Sequence, residues 1–327
     1  MKTTSILLSA SVLLGLSCQP EPQVSTVEPD QQRSNANARV SGNVPSHDPS
    51  TIARSGSNYF VFNTGDYLPI GTSTNLVNWG GAGNVFRTIP SWINSAVPGF
   101  GTQFWAPDAA YFNGRWNVYY SCSTFGSSTS AIGLVTAPTI PTSGAQWTDR
   151  GQVVRSSSNS DVNAIDPSIL VDGSSVYMAY GSFFAGIGVY RIDPSTGKPT
   201  GGRTIVAGGG GADWEAPCLI KEGSYYYLFV NRGYCCRQAN STYYIVVGRS
   251  SSPFGPFVDK NGRSLTSGGG SFVLGTQGRY IGPGQLSRIA GTQNGSVHYY
   301  DGNDNGNPKL ETVRFTWSGG WPTVAYY

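Results

Sequence analysis

Five short segments of this chain carry the same strand signature. They are Tyr59-Phe60-Val61-Phe62, Trp116-Asn117-Val118-Tyr119-Tyr120, Val176-Tyr177-Met178-Ala179-Tyr180, Tyr225-Tyr226-Tyr227-Leu228-Phe229-Val230 and Val297-His298-Tyr299-Tyr300. Most follow a tight turn such as Gly56-Ser57-Asn58, Asn113-Gly114, Asp172-Gly173-Ser174 or Glu222-Gly223-Ser224, and a turn feeding an aromatic, β-branched run reads as a hairpin. Their starts at 59, 116, 176, 225 and 297 lie 57, 60, 49 and 72 residues apart, near the length of a four-stranded propeller blade. No segment holds a helical apolar period for 12 residues, which excludes folds that alternate strands with helices. The pattern predicts an all-β fold, a five-bladed β-propeller over residues 45–327, with a pair of β-sandwiches as its structural competitor.

Composition supports that choice. Charged residues make up 12% of the chain against 13% aromatic, so the Lys- and Glu-laced surfaces of an all-helical protein are missing. With 39% hydrophobic residues, including 8 Trp, 19 Tyr and 14 Phe, the chain has ample core and does not read as disordered. The net charge of +3 comes from thinly spread Lys and Arg, which form no stripe for a phosphate backbone, so nucleic acid is excluded as a partner. A ring of blades closes on itself, so a monomer is expected.

The first residues read as a targeting segment. Lys2 precedes an apolar run from Ile6 to Leu16, too short for the roughly 20 residues of a membrane span and suited to a secretory signal over residues 1–17. Gly15-Leu16-Ser17-Cys18 is similar to a bacterial lipoprotein signal, although Gly15 stands where Leu is usual. Lipidation of Cys18 would anchor an exported protein in the periplasm or on the cell surface, the only membrane contact foreseen. Residues 18–44, rich in Gln, Pro, Glu, Ser and Asn, read as a flexible tether. Loss of residues 1–17 removes Lys2 and no acid, which lowers the charge from +3 to +2. Cys122, Cys218, Cys235 and Cys236 are an even set compatible with disulfides in an oxidising compartment, their pairing left open. Adjacent Cys235 and Cys236 lack the gap of a zinc knuckle.

The chemical signal lies upstream of each hairpin. His47-Asp48-Pro49-Ser50, Trp105-Ala106-Pro107-Asp108, Ile165-Asp166-Pro167-Ser168, Trp214-Glu215-Ala216-Pro217 and Gly282-Pro283-Gly284 precede the five signature strands, and four of them carry a carboxylate. For a single Asp-Pro, a turn cap is the simpler account. Blade symmetry puts equivalent residues at one radius, so these acids would face one central funnel. Each Pro should push the residue before it toward extended geometry. Several carboxylates with Trp and Tyr around a cleft suit glycoside hydrolysis, where one group acts as acid and another as base or nucleophile. Sugar faces stack on aromatic rings.

Asp48-Pro49-Ser50, Phe104-Trp105-Ala106-Pro107-Asp108, Ala164-Ile165-Asp166-Pro167-Ser168, Ala179-Tyr180-Gly181-Ser182-Phe183, Glu215-Ala216-Pro217 and the tail His298-Tyr299-Tyr300-Asp301-Gly302-Asn303-Asp304 together resemble glycoside hydrolase family 43. Trp317 and Gly320-Trp321-Pro322 extend the likeness to about residue 327, and the arabinan endo-1,5-α-L-arabinosidase group within the family is the most similar. The resemblance implies an inverting mechanism, with Asp48 as general base, Glu215 as general acid and Asp166 orienting the acid and tuning its pKa. It implies arabinan, or another arabinose-containing polysaccharide, as substrate. Trp105 and Phe183 are the substrate-binding candidates, Trp105 for sugar stacking, while core packing suits Phe183 and Phe184 equally well; Asp108 reads as structural or pocket-lining. The chemistry requires no cofactor. Where the group commonly has Gly-Pro-Gly-His near an axial metal, this chain has Gly282-Pro283-Gly284-Gln285. Gln285 can offer an oxygen to calcium, so it and His298 are the candidate positions for a structural ion on the axis, while His298 also fits burial in its aromatic strand. Asn231-Arg232-Gly233-Tyr234-Cys235-Cys236-Arg237 departs from the group and would reshape the rim. Exo-acting arabinofuranosidase and non-catalytic glycan-binding propeller stand as alternatives; a binding module has no use for the full set of Asp48, Asp166 and Glu215.

Overall fold

The chain folds because each signature strand is apolar on both faces. In the computed structural model, which describes residue 1 and residues 39–327 apart from 42, 143, 159, 160, 210 and 212, neighbours on one strand point into different cores. Val118 and Tyr120 enter one cluster and Tyr119 the next; Leu228 and Val230 enter one, Tyr227 and Phe229 another. Side chains alternate across a strand, so such a strand can only sit in a sheet sandwiched between two others.

Five antiparallel sheets result. The first holds Ala53–Ser55, Asn58–Phe62, Pro69–Ser73 and Gly80–Asn84. The second holds Gln103–Phe112, Arg115–Cys122, Ser130–Ala137 and Thr148–Ser156, with the short strand Gly65–Asp66 added at its inner edge. Ser168–Asp172, Ser175–Tyr180, Ile187–Asp193 and Lys198–Ala207 form the third. The fourth comprises Glu215–Glu222, Tyr225–Arg232, Tyr244–Ser250 and Ser271–Leu274, and the fifth Tyr280–Arg288, Asn294–Asp301, Asn307–Ser318 and Trp321–Tyr326. The architecture is a five-bladed β-propeller, and the five signature segments lie in the second strands of the blades. One short helix, Ser91–Ala96, joins the first two blades.

Five apolar clusters fill the seams between blades. Phe62, Phe104 and Tyr120 pack in the first seam, Leu134 and Met178 in the second, Trp214 and Leu228 in the third, Phe229 and Phe315 in the fourth. Val40, Ile52, Val61, Ile289 and Leu310 close the ring between the last blade and the first. Across that seam Leu310 N–H donates to Val44 O at 3.0 Å, and Ser46 N–H to Pro308 O at 3.2 Å. The packed chain therefore begins before residue 45: Val40 is buried, its N–H donates to Glu311 Oε1 at 3.2 Å, and Ser41 N–H reaches Val77 O. Two valines in a polar stretch suffice to dock it. The signal, Cys18 and the tether up to residue 38, apart from Met1, lie outside the described residues.

Cysteine pairing departs from the even-set expectation. Cys235 and Cys236 are bonded to each other, while Cys122 and Cys218 are free and buried in separate seams. Asp108 is structural: its buried carboxylate accepts Thr51 N–H at 2.9 Å and Ile169 N–H at 2.7 Å, which ties the second blade to the first and third. Asp108→Ala leaves two part-buried N–H groups unpaired at roughly 1–3 kcal/mol each, so a loss of about 2–6 kcal/mol is expected in denaturant unfolding.

Candidate active site

Each blade's innermost strand, or the segment leading into it, holds a residue in left-handed conformation. Asp48, Ala106, Asp166, Ala216 and Gln285 have φ of 46°, 37°, 57°, 49° and 51°. This corrects the extended geometry expected before Pro in the first four; Pro disfavours the right-handed helical region there but leaves the left-handed bend accessible. The bend aims the residue's N–H sideways at the preceding blade. Ala106 N–H donates to Thr64 Oγ1 at 2.8 Å, Asp166 N–H to Ser121 Oγ at 3.0 Å and Ala216 N–H to Asp166 Oδ2 at 3.0 Å. Gln285 N–H donates to Asn231 Oδ1 at 3.3 Å, and Asp48 N–H closes the circle on His298 Nδ1 at 3.1 Å. In the fifth blade the equivalent position is thus Gln285 and not the residue before Pro283.

The circle brings the three sequence-selected acids into one electrostatic site. Burial raises the Asp166 carboxyl far above the usual range, and the charges of Glu215 and Asp48 push it further, against the Ala216 N–H. Burial also raises Glu215, to about 7; the Tyr243 and Ser182 hydroxyls oppose that shift, and the charges of Asp48 and Asp213 add to it. Ser182 Oγ donates to Glu215 Oε2 at 2.9 Å, while Oε1 is buried with no hydrogen-bond partner. Asp48 goes the other way. Burial would raise it, but His47, His298 and Thr64 together hold it well below the ordinary carboxylate range. His47 Nδ1 lies 2.9 Å from Asp48 Oδ2, and Thr64 Oγ1 donates to the same oxygen at 2.7 Å. Two carboxyl groups in one buried site with proton affinities driven apart are the arrangement that acid–base chemistry needs.

The remaining candidates fall around this centre. Trp105 is partly buried and lines a cavity of about 340 Å³ with Asp66, Gly101, Thr102, Gln103 and Ser123. Phe183 follows Ser182, and its ring centroid lies 5.9 Å from that of Tyr234. His298 is fully buried, stacked on His47 at 4.5 Å, with Nε2 unpartnered. Burial lowers its pKa to about 3, the His47 charge adds to this and Asp48 opposes it. Gln285 is buried in the same inner layer. His47, Asp48 and His298 are the cluster of metal-capable donors among the described residues, within 4.8 Å of one another, but both His47 nitrogens are already engaged, with Asp48 and with Tyr300 Oη at 2.9 Å.

Sequence reasoning does not reach His47, Tyr300, Ser182 or Tyr243 as site residues. His47 and Tyr300 are 253 residues apart in the chain, and only ring closure makes them neighbours. Their signal was membership: His47 and Ser182 lie inside motifs that the sequence does single out, next to Asp48 and Phe183.

Residues 41–322 match the family model for glycosyl hydrolases family 43. The extracellular endo-α-(1→5)-L-arabinanase 1 of Bacillus subtilis (strain 168) is 41% identical over 287 residues, covering 85% of this chain and 87% of that protein. The extracellular exo-α-(1→5)-L-arabinofuranosidase ArbA of Cellvibrio japonicus (strain Ueda107) is 36% identical over 300 residues, covering 85% and 86%. Among solved structures, the endo-arabinanase of Bacillus licheniformis superposes with a TM-score of 0.82 at 40% identity, over 87% of this chain and 99% of that one. Removing the Asp48 charge should lower the Glu215 midpoint from about 7. Carbon-13 titration of the Glu215 carboxyl in the native and Asp48→Asn proteins measures this.

Proposed function

The chain belongs to glycosyl hydrolases family 43, and from that premise we propose that it is an endo-acting arabinanase that cleaves α-1,5-linked L-arabinofuranose chains with inversion. One observation carries the reading: Glu215, with a pKa near 7, shares a buried site with Asp48, which is held ionised. Glu215 is the general acid. Its proton goes to the glycosidic oxygen as the bond to the anomeric carbon breaks, and the unpartnered Oε1 is free to present it. Asp48 is the general base. It takes a proton from the water that attacks the opposite face, and inversion calls for a gap of roughly 6.5–9.5 Å between the two carboxyls. Asp166, whose Oδ2 accepts the Ala216 N–H, fixes the backbone next to Glu215 and so orients the acid. Trp105 and Phe183 supply aromatic faces for arabinose rings.

The endo assignment follows the more similar of the two reported relatives, named an endo-arabinanase, at 41% against 36% for the exo-acting one. Exo removal of arabinofuranose is the second reading, favoured by that relative. Both relatives are named extracellular, which supports export of this chain. Lipid attachment at Cys18 would hold it on a bacterial membrane, where it acts as a monomer. An axial calcium belongs to the same proposal. His298 Nε2, buried and unpartnered, offers one ligand and the Gln285 amide another, with water completing the six to eight sites calcium favours. Binding at Nε2 needs that nitrogen's lone pair, so the imidazole proton would move to Nδ1 and the Asp48 N–H that Nδ1 accepts would lose its partner. The ion's contribution would be a fixed positive charge beside the base.

On linear arabinan, oligomers among early products indicate endo attack and arabinose alone indicates exo. Activity requires Glu215 protonated, so kcat/KM should fall as pH rises through about 7. It requires Asp48 ionised, so the acid limb should lie below the ordinary carboxylate range. Glu215→Ala should lose about 10²–10⁴-fold on arabinan and much less on an aryl arabinofuranoside, whose leaving group needs no proton. An equal loss on both would remove Glu215 as the acid.

A further inference from the structure

The rim segment after the fourth blade's second strand holds the disulfide between adjacent Cys235 and Cys236, with Cα atoms 3.8 Å apart. A crosslink between neighbours encloses no length of chain, so it does little to restrict the unfolded state. What it does fix is the peptide between them, with Cys236 in left-handed conformation at φ 63°. The N–H of that peptide donates to Tyr300 Oη at 2.8 Å. The same oxygen lies 2.9 Å from His47 Nε2, and His47 Nδ1 lies 2.9 Å from Asp48 Oδ2. Arg237 N–H to Ser241 Oγ at 3.1 Å and Thr242 N–H to Tyr234 O at 2.9 Å brace the segment from the other side.

Proton bookkeeping gives this chain a direction. The Tyr300 oxygen accepts from Cys236, so its own proton can go to His47 Nε2. The His47 proton then resides on Nδ1 and faces Asp48; the other neutral tautomer would set a lone pair against a carboxylate at 2.9 Å. If His47 is charged, both nitrogens carry protons and Nδ1 still faces Asp48.

We infer that the Cys235–Cys236 disulfide and Tyr300 are positioning elements for Asp48: the crosslink holds the N–H that orients the Tyr300 hydroxyl, which orients His47, which holds the carboxylate. The inference rests on reading Asp48 as the base. The segment is at the surface, with Cys236 exposed and Cys235 half-buried, whereas Cys122 and Cys218 are buried. A dithiol can therefore reach the rim pair. It gives up two electrons and two protons, becomes a disulfide itself, and leaves two cysteine thiols and an unrestrained peptide. Thr64 and His298 still hold Asp48 from their own sides, and the Glu215 and Asp166 carboxylates and Tyr243 still face it across the site. Reduction should loosen the base without abolishing it.

Linear arabinan hydrolysis is compared for the oxidised protein, the dithiothreitol-reduced protein with two newly labelled thiols, Cys235→Ser/Cys236→Ser, Tyr300→Phe and Asp48→Asn. The reduced, double-serine and Tyr300→Phe forms should each lose about tenfold in kcat/KM, less than the ~10²–10⁴ that a proton-transfer group supplies. Tyr300→Phe, which leaves the rim crosslink in place, should show its loss in kcat and not in KM, because the chain through His47 acts on Asp48 and not on the sugar-facing rings. Near-UV dichroism should be retained, and reoxidation should restore the rate. An unchanged rate after reduction would overturn the inference, as would a loss that only tracks collapse of the dichroism or, in Tyr300→Phe, lies wholly in KM. If the double variant does not fold, the reduced and reoxidised native protein decides. Full activity of Asp48→Asn would remove the base assignment itself, whereas inactive Asp48→Asn beside unaffected reduced and Tyr300→Phe forms removes this inference alone.

Discussion

The structure depends on five backbone N–H groups that each cross from one blade to the one before it. At every crossing a residue is bent into the left-handed region, a conformation that costs a non-glycine residue of order 1 kcal/mol or more and persists only where its surroundings enforce it. Here the enforcement is mutual. Each bend supplies a donor to a neighbour's side chain, from Ala106 onto Thr64 round to Asp48 onto His298. The apolar seams outside press the blades together without favouring one rotation over another. Directional bonds near the axis set the register.

That circle is also where the proposed chemistry sits, and the coincidence has a physical cause. Groups that hold blades together at the axis are buried from several sides, and burial is the first influence on Asp48, Asp166 and Glu215 alike. What separates them is local. Asp48 has two imidazoles and a threonine hydroxyl, Asp166 one backbone N–H and two like charges. Glu215 precedes Ala216, the residue whose N–H Asp166 accepts, so the acid's place in the site is set through the main chain as well as through Ser182. Strand packing, ring closure and proton affinity therefore share residues.

Much of this was legible in the sequence. The turn-plus-aromatic repeats located all five second strands, and their apolar runs required burial on both faces. The Pro-containing tetrapeptides marked four of the five axial bends, although the average effect of Pro on its predecessor concealed their hand. The fifth bend, at Gln285, has no Pro after it and was displaced by the eye-catching Gly-Pro-Gly. Asp108, the acid that follows its Pro, was correctly set apart from the rest. His47 and Tyr300 were not legible as partners, because nothing local joins residues at opposite ends of the chain. Cys235 and Cys236 read as two of four cysteines whose pairing stayed open, since sequence spacing gives no sign that neighbours will bond each other.

The seam between the last blade and the first carries a meaning of its own. Asp48 comes from the first packed segment, yet its backbone partner His298 and, through His47, its link to Tyr300 belong to the final blade. A chain emerging from the ribosome can build four blades and still leave Asp48 without these partners. The proposed base is complete only when the tail docks, and a truncation that removes the fifth wedge takes both partners away and bares the seams it fills with the fourth and first blades.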